Sequence, residues 1–278
     1  MSETQRAAIL TGAAGGIGGA LAAGLLQAGI NVAAVDRTRD GLAALAAEAG
    51  RAGHAARLLT IEADLAQDGI ADHIVAEARG RFGQIDILVN NAGIGQGTLR
   101  AENWQNPIRF WEVTSEQWRR FVAVHTTAPL ALALAVVHEM MQRRWGRIVN
   151  VTTSLGTMLR SGSPTYGPSK AALEALTAIM AKDLDGTGVT ANVLVPGGVT
   201  NTGMVPAESG FARDRMIQPG VMAPPLVWLV SDAADAVTGR RFLAVHWDPA
   251  LPPEQAAEKA GAPVAWSDIA TMPIEPPR

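Results

Sequence analysis

The feature that most constrains the fold is a repeated alternation of short apolar runs with longer helix-like stretches. The runs AAIL, NVAAV, IDILVNN, GRIVNVT and GVTANVLV are bounded by turn residues and are apolar at consecutive positions. Strands of this kind are buried on both faces, as in a parallel sheet that carries helices on each side. The pattern therefore predicts an α/β fold with a doubly wound parallel sheet.

The length and the interruptions of this alternation predict the domain organisation. The chain has 278 residues, of which 48% are hydrophobic, and an α/β fold of this size is often one domain. We expect a single domain over residues 1–246 and a C-terminal extension over residues 247–278. Insertions at about 94–114 and 202–220 leave the sheet at the edge where ligands bind, and we predict that they form lids.

Composition excludes several classes of protein. The formal net charge is −3 and there is no long basic run, which argues against nucleic-acid binding and favours a small-molecule ligand. The absence of cysteine excludes disulfides, thiolate zinc sites and cysteine nucleophiles, and we predict no metal. We find no signal peptide and no apolar run that is long enough to span a membrane, so we expect a cytoplasmic protein.

A glycine-rich turn follows the first predicted strand. The segment TGAAGGIGGALAAGLL places Gly12, Gly16 and Gly18, with Ile17 between the last two, where the backbone turns into a helix. Without side chains, such a turn can offer the free N–H groups of the helix N-terminus to a pyrophosphate. Glycine-rich turns also occur for structural reasons alone, so the position of the next acidic residue decides whether this one is a dinucleotide site.

An acidic residue ends each of the next two strands. Asp36 lies 18 residues after Gly18, near the spacing of about 20 expected for an acid that binds the adenosine ribose. A carboxylate there accepts two hydroxyl hydrogen bonds and repels a 2′-phosphate, which favours NAD over NADP, although Arg37 could instead bind that phosphate. Asp64, followed by Leu65, could accept from the adenine amino group or serve as a helix N-cap.

The only tyrosine of the chain, Tyr166, precedes Lys170 by four residues, so both side chains lie on one helix face. A free tyrosine has a pKa of about 10, and a neighbouring ammonium together with an oxidised nicotinamide would lower it. Alone, such a pair is more often a surface tyrosine beside a solvated lysine.

The order of motifs decides between these interpretations. TGAAGGIG, NNAG, IVNVTTSLG, YGPSK and VPGG, followed by a threonine, resemble the short-chain dehydrogenase/reductase family over roughly residues 5–245. The resemblance implies a Rossmann-type sheet and hydride transfer between a secondary alcohol and a nicotinamide. Tyr166 would transfer the hydroxyl proton, and Lys170 would hold the nicotinamide ribose and lower the tyrosine pKa. Helices near 115–142 and 168–185 would pair across subunits in a homotetramer.

The sequence departs from the family pattern at two catalytic positions. Thr153 stands where a serine usually binds the substrate oxygen, and Ser154 could substitute for it if the strand end is shifted by one residue. Threonine offers the same donor and acceptor. His125 stands where an asparagine anchors a water relay to the lysine. It could join the relay, since its pKa lies near 6.5, or be a packed helix histidine.

The resemblance assigns further residues to the cofactor. The motif NNAG would line the cofactor cleft and make the turn after the fourth strand rigid, and the segment after the sixth strand would bind the nicotinamide carboxamide through Thr202. The residues concerned are Asn90, Asn91, Ala92 and Gly93, and then Pro196, Gly197, Val199 and Thr202.

The leading interpretation is an NAD-dependent oxidoreductase that interconverts a secondary alcohol and a ketone. A non-catalytic NAD-binding regulatory or scaffold protein of the same fold is the alternative, because fold does not fix function. The substrate is left open. Candidate residues that could stack on an apolar body are Trp104, Phe110 and Trp111, and candidates that could bind an anion are Arg100, Arg109 and Arg160.

Overall fold

The computed structural model of the chain describes residues 5–267 and residue 270. Within them, eight strands form one sheet in the order β3-β2-β1-β4-β5-β6-β7-β8. The strands are β1 (Ala7–Thr11), β2 (Asn31–Asp36), β3 (Leu58–Glu62), β4 (Ile87–Asn90), β5 (Gly146–Val151), β6 (Val189–Val195), β7 (Arg240–Leu243) and β8 (Gly261–Pro263). Strands β1 to β7 pair in parallel, which confirms the predicted doubly wound sheet.

Helices cover both faces of this sheet. They are α1 (Gly16–Gln27), α2 (Arg39–Arg51), α3 (Ile70–Phe82), α4 (Ser115–Val122), α5 (Ala128–Arg143), α6 (Leu155–Met158), α7 (Tyr166–Asp183), α8 (Ala223–Leu229) and α9 (Pro253–Ala260). A π-helical segment, Ala123–Thr127, joins α4 to α5.

Two apolar cores result, because successive residues of a strand point to opposite faces of the sheet. Leu10 of β1 packs with Leu25 of α1 and Leu226 of α8 on one face. Its neighbour Ile9 packs with Ile74 of α3 on the other. Both residues of β1 are fully buried, which explains the continuous apolar run in the sequence.

The continuous helical stretch Ser115–Arg143 is long and apolar enough to cross a membrane by length and composition. The expectation that no apolar run has this length is therefore wrong. The stretch packs against the sheet through Leu132, Val136 and Met140, which are buried in the second core. The core helix of a globular domain has the same length and composition.

The segment after Trp247 adds to the sheet. Helix α9 is followed by β8, which pairs antiparallel with β7, and Ala265 then donates its N–H to Glu174 at 3.0 Å. Ala265 has a φ of 59°, a left-handed conformation that a non-glycine residue rarely adopts. The predicted C-terminal extension is thus, up to residue 267, an edge of the same domain, and residues 268, 269 and 271–278 lie outside the described part.

Candidate active site

Two cavities open at the carboxyl ends of the strands, in the crevice where ligands of doubly wound sheets bind. The larger cavity, of about 250 Å³, is lined by residues that follow β4, β5 and β6 and by the start of α7. The smaller cavity, of about 80 Å³, lies beyond β2 and β3. Gly93 borders both, so an elongated ligand can extend from one cavity to the other.

Tyr166 and Thr153 meet at the wall of the larger cavity. Tyr166 is the first residue of α7, and Thr153 lies two residues beyond β5. Burial raises the pKa of the Tyr166 phenol, while a hydrogen bond with the Thr153 side chain and the positive charge of Arg160 oppose this rise. The protein surroundings therefore keep the phenol protonated at neutral pH. Desolvation is the largest effect of the protein on this phenol, and the lowering of its pKa by Lys170 together with an oxidised nicotinamide stays a prediction.

Ser154 has a different role from Thr153. Its hydroxyl accepts from the backbone N–H of Thr157 at 3.2 Å and lies 2.7 Å from the Thr157 hydroxyl. It is thus the N-cap of the short helix α6. Between the two candidates from the sequence, the geometry brings Thr153 to Tyr166.

Lys170 lies one turn along α7 from Tyr166 and also lines the larger cavity. Its Nζ donates to the carbonyl oxygen of Val151 at 2.8 Å. Burial lowers the pKa of this ammonium to about 8, so it keeps its proton at neutral pH. An ammonium has three donors, and two are left for a ligand such as a ribose.

The glycine turn is packed too closely for side chains. A Cβ on Gly18 would lie 1.9 Å from the carbonyl oxygen of Gly12, and Gly12 itself has a φ of +65°. Gly15, before α1, has no side chain to cap the helix. The first N–H groups of α1 are therefore available to a phosphate, as a dinucleotide would require. Ile17 of the same turn lines the larger cavity, and a Cβ on Gly16 would lie 3.0 Å from the Thr202 methyl group.

Asp36 is fixed at the wall of the smaller cavity. One carboxylate oxygen accepts from the N–H of Ala14 at 3.1 Å, and the other accepts from the N–H and the hydroxyl of Thr38 at 3.0 and 2.8 Å. These bonds hold the carboxylate against the glycine turn. Arg37 lines the same cavity and is exposed. Both residues thus lie where the ribose of a dinucleotide would be bound.

A comparison with known families agrees with this geometry. The sequence model of the family described as short chain dehydrogenase matches residues 6–210. The chain belongs to the short-chain dehydrogenase family. The resemblance of the motifs and the Rossmann-type fold are thereby confirmed.

Individual relatives cover most of the chain. A 3-oxoacyl-(acyl-carrier-protein) reductase of Synechocystis sp. is 30% identical over 245 residues, which are 86% of this chain and 95% of that protein. The reductase of the same name from Escherichia coli K12 is 28% identical over 248 residues, with the same coverage. A crystal structure from Beutenbergia cavernae, provisionally named an NAD(P)-dependent gluconate 5-dehydrogenase and containing NADP at low occupancy, is similar with a TM-score of 0.72. It is 32% identical and matches over 86% of this chain and 94% of that one.

His125 of this short-chain dehydrogenase is a neutral packing residue. Its Nε2 accepts from the backbone N–H of Ile94 at 2.9 Å, which places the ring proton on Nδ1, 2.8 Å from the hydroxyl of Ser169. Burial, and then the charge of Lys170, hold the pKa of His125 well below its usual value. Both ring nitrogens are thus engaged away from Lys170. Of the two interpretations of His125, this arrangement supports the packed helix histidine over a role in the proton relay. Ser169 stands within the YGPSK motif, but the sequence did not reveal that it is the partner of His125.

Asp64 lines the smaller cavity with Leu65, but its carboxylate already has partners. It accepts from the N–H of Ala66 at 3.0 Å and from Arg120 at 2.9 Å. Burial raises its pKa, and these two hydrogen bonds together with the positive charges of Arg120 and Arg37 outweigh that effect and leave the pKa below its ordinary value. The N-cap interpretation is wrong, since the next helix begins at Ile70. The sequence did not reveal Arg120, which is 56 residues away from Asp64.

The NNAG motif divides into a structural and a cleft-lining part. Asn90 is buried in the sheet and donates to the Asn150 side chain at 2.8 Å, so it joins β4 to β5. We expected Asn90 to line the cofactor cleft, and in the structure it lines neither cavity. Asn91 donates to the carbonyl oxygens of Thr11 and Gly12 at 3.0 and 3.1 Å and lines the larger cavity. Ala92 and Gly93 line the smaller cavity.

The chain after β6 forms another wall of the larger cavity, as the motif predicts. The residues concerned are Pro196, Gly197, Val199 and Thr202. The Thr202 hydroxyl accepts from the N–H of Met204 at 3.3 Å, and Met204 and Val205 continue the same wall.

The two predicted lid segments contact each other beside the larger cavity. The ring of Trp104 meets that of Phe211 edge to face with centroids 4.9 Å apart, and the Gln105 side chain donates to the carbonyl of Glu208. Trp104 also lines the cavity. By contrast, Phe110 and Trp111 meet each other edge to face and are 75% and 72% exposed.

The three arginines that the sequence offered as anion-binding candidates lie in different surroundings. Arg100 is paired with Glu112 at 2.9 Å, and Arg109 is exposed and reaches Ser161 at 3.4 Å. Arg160 lines the larger cavity, with its guanidinium carbon 4.3 Å from the centre of the Trp104 ring.

Proposed function

We propose that this short-chain dehydrogenase is an NAD-dependent oxidoreductase that interconverts a secondary alcohol and a ketone. The observation that carries the proposal is the hydrogen-bonded pair of Tyr166 and Thr153 at a cavity that also receives Lys170. A proton donor, a second hydroxyl and an ammonium there meet what carbonyl reduction requires of a protein.

Tyr166 moves the proton in this mechanism. In reduction its phenol donates to the carbonyl oxygen, and in oxidation its phenolate accepts the proton of the alcohol. The Thr153 hydroxyl binds the same substrate oxygen and orients it. A bound nicotinamide dinucleotide supplies or accepts the hydride. Because burial raises the pKa of Tyr166, the proton is available at neutral pH, which favours reduction, whereas oxidation should become faster as pH rises.

Lys170 and the two edges of the cleft hold the cofactor. The donors of Lys170 that Val151 does not use bind the nicotinamide ribose, and the N-terminus of α1 binds the pyrophosphate. Asp36 receives the adenosine ribose, which supports NAD over NADP. The similar structure from Beutenbergia cavernae contains NADP, so both cofactors belong in the test.

The names of the relatives agree with this reaction class. A 3-oxoacyl group is a ketone, and gluconate carries secondary alcohols, so both named activities interconvert the same two functional groups. The substrates of these two relatives differ. The substrate of this chain must therefore be inferred from its own residues.

We further propose a cytoplasmic homotetramer. Trp118 and Leu134 on the stretch Ser115–Arg143 and Ile179 on α7 are 43%, 60% and 55% exposed, which supports pairing of these helices across subunits. Light scattering on the purified protein gives the mass. A value of four chains is expected, and a monomer would contradict this assembly.

The test is a panel of ketones and secondary alcohols with NADH, NADPH and their oxidised forms, followed by nicotinamide absorbance. Tyr166→Phe should bind NADH normally and lose about 10²–10⁴ in kcat. Thr153→Val should also lose activity, whereas Ser154→Ala should keep it within a few fold. If NADH binds and no compound is turned over by either wild type or Tyr166→Phe, the protein is the non-catalytic alternative.

A further inference from the structure

The charge of the larger cavity restricts the substrate more than its shape does. Within residues 5–267, the charged side chains that line it are Arg160 and Lys170, and no carboxylate lines it. Lys170 is bonded to Val151 and adjoins the nicotinamide side of the cleft. Arg160 is therefore the cation that faces the space left for the substrate.

Arg160 is an exposed residue at the edge of the cavity that contacts an aromatic ring and has no acidic partner among the described residues. It follows α6, and its guanidinium lies over the ring of Trp104 at 4.3 Å, which is a cation–π geometry. Trp104 also contacts Phe211, whose ring meets it edge to face. Within the described residues no carboxylate pairs with Arg160, in contrast to Arg100. A flat guanidinium positioned in this way is suited to bidentate binding of a carboxylate.

A second polar group of the same wall lacks a partner. Ser163 is 3% exposed, lines the larger cavity, and its hydroxyl has no hydrogen-bond partner within the described part of the chain. Buried hydroxyls are rarely left without a partner. A ligand oxygen at this wall, beside Arg160, would supply one after a small rotation of the serine side chain.

We infer that the substrate of this enzyme is a ketone or secondary alcohol that also carries an anionic group, and that Arg160, supported by Trp104, binds that group. The inference rests on the proposed function, since it takes the carbonyl group of the substrate to face Tyr166 and concerns the chemistry of the rest of that substrate. The anion is a carboxylate on a small molecule, because Arg160 and Tyr166 line one cavity of about 250 Å³. The phosphate of a phosphopantetheine thioester is another anion that an arginine could bind, and the test distinguishes such a thioester from a carboxylate substrate.

The test compares matched compounds. Short 3-oxo acids, their methyl esters and their coenzyme A thioesters are reduced with NADH by wild type, Arg160→Gln, Arg160→Lys and Arg109→Gln. We expect kcat/KM of wild type to be at least tenfold higher for the acid than for the ester. Arg160→Gln should raise KM for the acid at least tenfold and change KM for the ester little, whereas any change in kcat should be the same for both substrates, because the Arg160 charge also acts on the pKa of Tyr166. Arg160→Lys should recover part of the loss, and Arg109→Gln, which removes an exposed charge nearby, should behave as wild type.

Several results would overturn the inference. Esters or thioesters that are reduced as well as the acids would show that no carboxylate is selected, and a thioester preference that Arg160→Gln abolishes would assign Arg160 to a phosphate instead. An equal rise in KM for acid and ester would show that Arg160 does not bind the carboxylate and only supports the fold of the lid.

A binding measurement keeps the inference separate from the reaction class. Calorimetric titration of the NADH complex with the acid and with the ester needs no turnover. If acid binds more tightly than ester and Arg160→Gln removes the difference while nothing is reduced, the anion site stands and the proposed reaction fails. If reduction proceeds but acid and ester bind equally, the reaction stands and the anion site fails.

Discussion

The Nε of Arg241 lies 3.0 Å from a carboxylate oxygen of Glu174, and the two side chains are 7% and 0% exposed. The pair joins β7 to α7 and extends to the catalytic edge of β5. The Thr152 hydroxyl donates to Glu174 at 2.6 Å, and Arg241 donates to the carbonyl oxygen of Thr153 at 3.1 Å. The N–H of Ala265 donates to the same carboxylate, so the C-terminal edge of the domain is tied to the same pair.

We predict that Arg241→Met lowers the free energy of unfolding by about 3–5 kcal/mol, because it leaves the Glu174 carboxylate buried without its cation. The double variant Arg241→Met with Glu174→Met should recover at least half of that loss, since replacement of a whole buried pair by apolar residues is often nearly neutral. Urea unfolding of the three proteins measures it. A double variant as unstable as Arg241→Met alone would show that the hydrogen bonds from Thr152 and Ala265 outweigh the charge.

The sequence predicted those features of the fold and of the site that depend on residues close together in the chain. Continuous apolar runs specify β1 and its parallel neighbours, and the spacing of the glycines, Asp36, Tyr166 and Lys170 within short motifs locates both cavities. Pairs such as Glu174 and Arg241 lie 67 residues apart and have no shared pattern. Strand β8 was missed for a similar reason, because the tripeptide GAP becomes a strand through its pairing with β7.

His125 should make the protein less stable in acid. Its pKa is about 6.5 in the unfolded chain and lower in the folded state. As pH falls below about 6.5, the unfolded chain binds a proton that the folded chain does not, so stability is lost at up to about 1.4 kcal/mol per pH unit. His125→Asn removes this group, and the other histidines are common to both proteins.

Denaturant unfolding at pH 5, 6, 7 and 8 measures this difference. We expect the free energy of unfolding of wild type to fall relative to His125→Asn between pH 7 and pH 5, and the two curves to run parallel between pH 7 and pH 8. Curves that are parallel over the whole range would show that the pKa of His125 is the same in the folded and unfolded states, which contradicts the lowering by burial.

The two tryptophans of the first lid segment should behave differently. Trp104 lines the larger cavity and supports Arg160, so Trp104→Ala should raise the substrate KM about tenfold, the equivalent of roughly 1.4 kcal/mol. Trp111 is 72% exposed and serves as the matched control. Steady-state kinetics at saturating NADH, with a separate titration of NADH, measure both. A rise in KM for Trp111→Ala of the same size would place the substrate outside the cavity.

The proposed preference for NAD depends on Asp36, whose carboxylate is already oriented by hydrogen bonds. One oxygen accepts only from the N–H of Ala14 and keeps a lone pair for a hydroxyl of an adenosine ribose. The other already accepts from the N–H and the hydroxyl of Thr38, so a second ribose hydroxyl would replace the Thr38 hydroxyl there. Hydrogen bonds to a charged acceptor contribute about 1.5–3 kcal/mol each. A 2′-phosphate would instead face a like charge, although the neighbouring Arg37 is exposed and could pair with it.

We therefore predict that wild type prefers NAD over NADP by at least about 100-fold in kcat/KM, which is roughly 2.8 kcal/mol and allows for solvent screening. Asp36→Ser should reduce this ratio in two ways: it should lower kcat/KM for NAD, because ribose hydrogen bonds are lost, and raise kcat/KM for NADP, because Arg37 can then bind the 2′-phosphate. In the double variant Asp36→Ser with Arg37→Gln, kcat/KM for NADP should not rise, whereas kcat/KM for NAD should be as low as in Asp36→Ser. Steady-state kinetics with both cofactors measure all three proteins. A wild-type preference for NADP, or a ratio that Asp36→Ser leaves unchanged, would mean that the ribose is not bound at Asp36.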